Sequence, residues 1–132
     1  MEVTVSKEQG RVPVTVFHIK GDIATEGGEQ LQKLAQEAFE GGTRHLLLDL
    51  RHVPFISSWG LRALHTIYML MRTGAPDEKD EVVQAGLQDG SYKSHHLKLL
   101  NPSRDVTKVL SLAGYDMFLE IHQDLKEAVA SF

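Results

Sequence analysis

The stretch FISSWGLRAL, residues 55 to 64, concentrates the side chains best placed to do chemistry. Two hydroxyls, Ser57 and Ser58, stand between an apolar run and the start of an amphipathic pattern, followed at once by Trp59, Gly60 and Arg62. A serine at a helix start accepts a hydrogen bond from an orphan backbone N–H, which explains one hydroxyl and leaves the other. A phosphoserine there would sit at the positive end of a helix and add about −1.5 to −2 charge units. Against a partner's surface that charge must be desolvated or repelled, enough to shift affinity roughly 100-fold. Trp59 is expected to point outward as an interface anchor, because Leu61 and Leu64 take the inner side. Gly60 lacks a Cβ and is expected to let another chain approach, and Arg62 lies one turn after Ser58, in reach of a partner or a phosphate.

Other chemistries lack their residues. A hydrolase elbow with Ser58 as nucleophile would need glycine at 56, where Ile56 stands. The Gly-Lys-Ser/Thr of a phosphate loop is absent. The seven histidines show no ligand spacing; His95 and His96 are adjacent on an expected strand and point to opposite faces. The acids at 77–81 do not follow the order of a calcium loop. With no cysteine there is no disulfide, thiolate metal site or thiol nucleophile, as suits a reducing compartment. The net charge of −4 and the lack of a dense Lys/Arg cluster argue against nucleic acid as partner. No apolar run approaches the ~20 residues of a membrane span, and the N-terminus lacks the pattern of a signal peptide. A cytoplasmic protein is expected.

The elements that position the corner follow from periodicity. Val3–Val5 and Val12–Ile19 read as strands joined by a turn at Glu8-Gln9-Gly10, an antiparallel pair ended by Lys20-Gly21-Asp22. A helix follows with Thr25 as N-cap, Leu31, Leu34, Ala35, Ala38 and Phe39 on one side, and Gly41-Gly42 as its stop. His45–Leu50 reads as a central strand buried on both faces. The helix from Ser57 buries Leu61, Leu64, Ile67, Tyr68 and Met71 and ends before Gly74. Residues 73–94 break the pattern and read as a mobile insertion with one helical turn around Val82-Val83. The strand His95–Leu100 precedes a helix capped by Asn101-Pro102-Ser103, with Val106, Val109, Leu110 and Ala113 inward; a strand at Met117–Ile121 and a helix capped by Asp124 close the chain. The expectation is one α/β domain over residues 1–132, with a mixed, mostly parallel sheet of about five strands and about four helices.

HLLLDLRHVPFISSWGLRAL resembles the central motif of the STAS domain family, the anti-sigma factor antagonists. Asp49, Leu50, Phe55, Ser58, Gly60 and Leu61 match its apolar strand ending in Asp-Leu, its link, and its Ser–small–Gly-Leu helix start. Lys20-Gly21-Asp22-Ile23 resembles the family's Gly-x-Ile/Leu loop, and HLKLLNPSRDVTKVLSLAGYDMFLEIHQDLKEAV its closing strand-helix-strand-helix, leaving only 73–94 unmatched. The resemblance implies a non-enzymatic bacterial regulator of transcription without a cofactor. Such a domain binds an anti-sigma factor, usually a serine kinase, and so frees a sigma factor. Phosphorylation of the serine corresponding to Ser58 dissociates it, and a phosphatase restores binding. The implied partner-facing surface comprises the Gly21-Asp22 loop and the helix from Ser58, with Ser57 as second candidate acceptor and Trp59, Gly60 and Arg62 as contacts. Two positions depart from the pattern: Ser57 stands where many members carry Asp, and Trp59 where a small residue is usual. The competing expectation is a constitutive scaffold subunit of a sensory or transport assembly, with no phosphate switch.

Overall fold

The computed structural model describes residues 1–132. Strands β1 (Glu2–Gln9) and β2 (Pro13–Lys20) pair antiparallel in an unbroken register from Glu2↔Lys20 to Gln9↔Pro13. Strands β3 (Leu46–His52), β4 (Leu97–Leu100) and β5 (Ile121–His122) then add in chain order, each parallel to the one before. The parallel steps require crossovers, supplied by helices α1 (Thr25–Glu40), α2 (Ser58–Thr73), α3 (Asp80–Asp89) and α4 (Arg104–Leu112); α5 (Leu125–Ser131) ends the chain.

The strands sort their side chains by parity. Phe17, Ile19, Leu46, Leu48, Leu50, Leu97 and Leu99 point to one face, where α1 to α4 cover them with Leu31, Ala35, Leu64, Ile67, Met71, Val83, Val106 and Leu110. Val14, Val16, Leu47 and Leu100 point to the other, where α5 places Ala128, Val129 and the C-terminal Phe132. β3 is buried on both sides, as its near-continuous leucines require. Each fully buried leucine contributes about 2 kcal/mol of burial free energy, so the two-sided core dominates the stability of the sheet. No helix is long and apolar enough to cross a membrane.

Several local expectations are corrected. The N-cap of α1 is Ala24, with no side-chain cap bond, and Thr25 is the exposed first residue of the helix. Residues 73–94 hold a ten-residue helix, α3, where one turn was expected, so the chain has five α-helices. Gly90, at φ +78°, ends it in the left-handed conformation that glycine adopts without strain. The β4 strand begins at Leu97 rather than His95. Residues 115–117 form a 3-10 turn, and β5 shrinks to Ile121-His122, because aromatic packing holds this stretch inward. Phe118 lies 4.9 Å from the Tyr68 ring and 5.4 Å from that of Tyr115, whose hydroxyl donates to the Leu61 carbonyl at 2.7 Å. Ala113 is exposed, since α4 has already ended at Leu112.

Candidate functional site

Two loops at the carboxyl ends of β2 and β3 are joined into one corner. The Ile23 N–H donates to the Phe55 carbonyl at 3.0 Å, and the Ser57 N–H donates to the Ile23 carbonyl at 3.0 Å. This parallel bridge between Ile23 and Ile56, both buried, sets the Gly21-Asp22 loop against the entrance of α2. Gly21, at φ +114°, makes the turn from β2 into the loop, and its N–H donates to the His52 carbonyl at 3.0 Å. The carboxyl edge of a parallel sheet is where α/β folds place their binding sites.

The two serines have different surroundings. Ser57 is the N-cap: its Oγ accepts the Gly60 N–H at 3.1 Å, and it is half-buried. Ser58 is the first residue of the helix and is exposed, with its hydroxyl in no intramolecular hydrogen bond. The first turn of α2 contains no acid, so no side chain of that turn offsets its N-terminal dipole. Phe55 and Trp59 flank Ser58 in sequence and are 51% and 56% exposed, two large apolar side chains held in water beside a free hydroxyl. The Arg62 guanidinium stands over the Trp59 ring, 5.2 Å from its centroid. Asp22 is exposed on the adjoining loop.

Gly60 departs from expectation. It is buried, and a Cβ built on it would lie 2.1 Å from the Ile23 carbonyl oxygen and 2.8 Å from Ile56 Cγ1. The glycine lets the molecule's own loop approach α2, so its role is internal rather than a direct contact with another chain.

Sequence reasoning missed two parts of the corner. Phe55 matched a motif but was not read as a surface residue. A groove of about 310 Å³ between the N-terminal halves of α1 and α2 is lined by Thr25, Gly28, Glu29, Gln32, Trp59 and Arg62. Its signal was the Gly27-Gly28 pair inside a helix: a Cβ on Gly28 would lie 3.2 Å from that of Ala63, so this glycine permits the close helix contact beneath the groove.

A second polar chain runs across three strands. Ser6 Oγ lies 3.0 Å from His18 Nε2, His18 Nδ1 lies 2.8 Å from Asp49 Oδ2, and Asp49 Oδ1 accepts the Arg51 N–H at 3.1 Å. The order hydroxyl–imidazole–carboxylate is that of an activated nucleophile. Its residues stand on one face of the sheet, where backbone N–H groups point along the sheet toward neighbouring strands and not above it to an oxyanion over Ser6. Two of the other six histidines each pair with a single carboxylate: His96 with Asp77 at 3.1 Å and His122 with Glu120 at 2.9 Å. No three His, Asp or Glu side chains come together as a metal cage.

The backbone arrangement recurs in solved structures. An anti-sigma factor antagonist from Mycobacterium paratuberculosis superposes with a TM-score of 0.68 at 18% identity, over 98% of this chain and 93% of that one. The unphosphorylated form of the anti-sigma factor antagonist SpoIIAA superposes at 0.62 with 15% identity, over 96% and 92%. The phosphorylated form of SpoIIAA, a Bacillus cell fate determinant, superposes at 0.61 with 17% identity, over 96% of each chain. At these identities the likeness is one of fold. No curated protein matches the sequence. The sequence model of the STAS domain matches residues 4–75, from β1 past the end of α2 and so across the whole corner. The chain belongs to the STAS domain family.

Proposed function

We propose that this protein is a cytoplasmic anti-sigma factor antagonist that acts by partner switching. It docks an anti-sigma factor with serine kinase activity through Asp22, Phe55, Ser58, Trp59 and Arg62, and a phosphate on Ser58 releases it. A phosphatase resets the complex. The observation that carries this reading is the Ser58 hydroxyl: exposed, uncommitted, and beside two exposed aromatic anchors at the positive end of a long helix. Family membership and the fold shared with proteins named anti-sigma factor antagonists support it. Ser57 is the weaker acceptor, because modifying it removes the cap of α2. The bare surface offers the partner apolar area, whereas a doubly charged group in its middle must be desolvated against it.

Two measurements test the proposal. Incubation with the cognate kinase and ATP, followed by mass spectrometry, is expected to place one phosphate on Ser58; no phosphate on either serine overturns the switch and favours a constitutive scaffold. Titration of Ser58→Asp against the partner is expected to show affinity weakened roughly 100-fold with the fold intact. Ser58→Ala is expected to stay bound and resist the kinase.

A further inference from the structure

The switch proposed above leaves open what the phosphate does to the docking surface itself. Arg62 lies four residues after Ser58 and three after Trp59 on α2, and all three side chains are exposed. Residues three and four apart on a helix are neighbours, so one guanidinium has two partners within reach. With a neutral hydroxyl at position 58 it rests over the indole, 5.2 Å from the ring centroid. No carboxylate competes for it: Arg62 is in no salt bridge, the first turn of α2 has no acid, and Glu29 across the groove lies beyond ion-pair distance.

An exposed cation–π contact is weak, whereas an arginine–phosphate pair is charge-assisted and is frequently bidentate. We propose that Arg62 is a two-position element, stacked on Trp59 while Ser58 is bare and drawn onto the phosphate when Ser58 is modified. The phosphate then acts twice. It places charge in the docking surface, and it takes from Trp59 the cation that holds the indole in its docking posture. The groove between α1 and α2 changes shape with it, since Trp59 and Arg62 form one of its walls. Trp59, out of place in the family motif, is thereby part of the switch and not an obstacle to it.

This inference rests on Ser58 being the site of modification, yet its test needs neither kinase nor partner. Phosphoserine is incorporated at position 58 during synthesis, in the parent chain and in Arg62→Gln. Trp59 is the single tryptophan, so its fluorescence reports this corner alone. The phosphate is expected to shift Trp59 emission in the parent, and that shift is expected to be lost in Arg62→Gln. In the parent ¹H–¹⁵N spectrum the Arg62 Nε–H resonance is expected to move when phosphate is present. Matching far-UV circular dichroism and unfolding midpoints verify that the exposed substitution leaves the fold intact. An equal emission shift in both chains, or an Arg62 Nε–H resonance unmoved by phosphate, overturns the proposal. Failure of the kinase to modify Ser58, or of phosphate to release the partner, instead removes the partner-switching reading.

Discussion

At Ser57 the hydroxyl accepts the Gly60 N–H, so Ser57→Ala uncaps α2. The expected loss is about 1 kcal/mol in urea unfolding, while kinase modification of Ser58 continues. An unchanged unfolding midpoint would show that the cap contributes nothing. Gly60→Ala is a harsher change, because the added methyl would meet the Ile23 carbonyl at 2.1 Å. Either the loop or the helix must move, at a cost of about 3 kcal/mol in thermal or urea unfolding. The Ser6–His18–Asp49 chain brings its own expectation: with no convergent oxyanion donors, a fluorophosphonate probe leaves Ser6 unlabelled. A labelled Ser6 would show this argument to be wrong.

Among the elements, α3 is the one that periodicity under-read. Its docking depends on polar contacts that no local pattern announces. Glu78 is buried, and its Oε1 accepts the Tyr92 hydroxyl at 2.6 Å; Tyr92 in turn meets the Tyr68 hydroxyl of α2 at 2.8 Å. Burial, together with the adjacent Glu78, pushes the Tyr92 hydroxyl far above its ordinary range, so it remains a protonated donor. The second Glu78 oxygen makes no hydrogen bond, so Tyr92→Phe leaves the buried carboxylate without any. The expected cost is about 2 kcal/mol, concentrated in the segment it ties down. Hydrogen exchange at the α3 amides is expected to quicken roughly 30-fold, with β3 less affected. Uniform exchange across both elements would mean that α3 is not a separate unit. The amphipathic helices α1 and α2 were legible because each buries one side, and their apolar spacing is local. β5 was misplaced because Phe118 and Tyr115 are held by packing rather than by alternation.

At the scale of the whole molecule, one histidine and two carboxylates are expected to make stability fall toward acid. Burial, reinforced by His96 and Lys98, holds the His45 imidazole below its ordinary value of 6.5. The unfolded chain therefore takes this proton first, and stability falls as pH drops below about 6.5. Burial pushes the Glu120 carboxyl up, but Lys98 at 3.1 Å and His122 at 2.9 Å outweigh it and hold the group below its usual range. Burial is likewise outweighed at Asp77, chiefly by its hydrogen bond with His96. Both carboxylates stabilise the fold above their unfolded pKa values, and that contribution is lost as pH falls through their folded ones. Urea unfolding between about pH 7 and about pH 3 is expected to show stability falling in two stages, near 6.5 and then below about 4.5. Glu120→Gln is expected to flatten the lower stage. An identical pH slope in that variant would remove Glu120 from the account.

Read by itself, the sequence determined the order of the strands and of every α-helix but α3, the two-sided burial of β3, a serine cap on α2, the caps at Ser103 and Asp124, and an outward Trp59. These depend on neighbours within a turn or two of chain: alternation sorts faces, helical spacing sorts sides, and a short polar side chain caps the turn that follows it. Only the tertiary structure decided which serine is free, that Gly60 faces inward, that Ile23 and Ile56 join two loops into one corner, and that Ser6, His18 and Asp49 meet. All but the choice of serine are contacts between segments distant along the chain; that choice is settled by which hydroxyl the helix entrance turns toward the Gly60 N–H. Assembly of the open sheet creates those contacts, and no local periodicity encodes them.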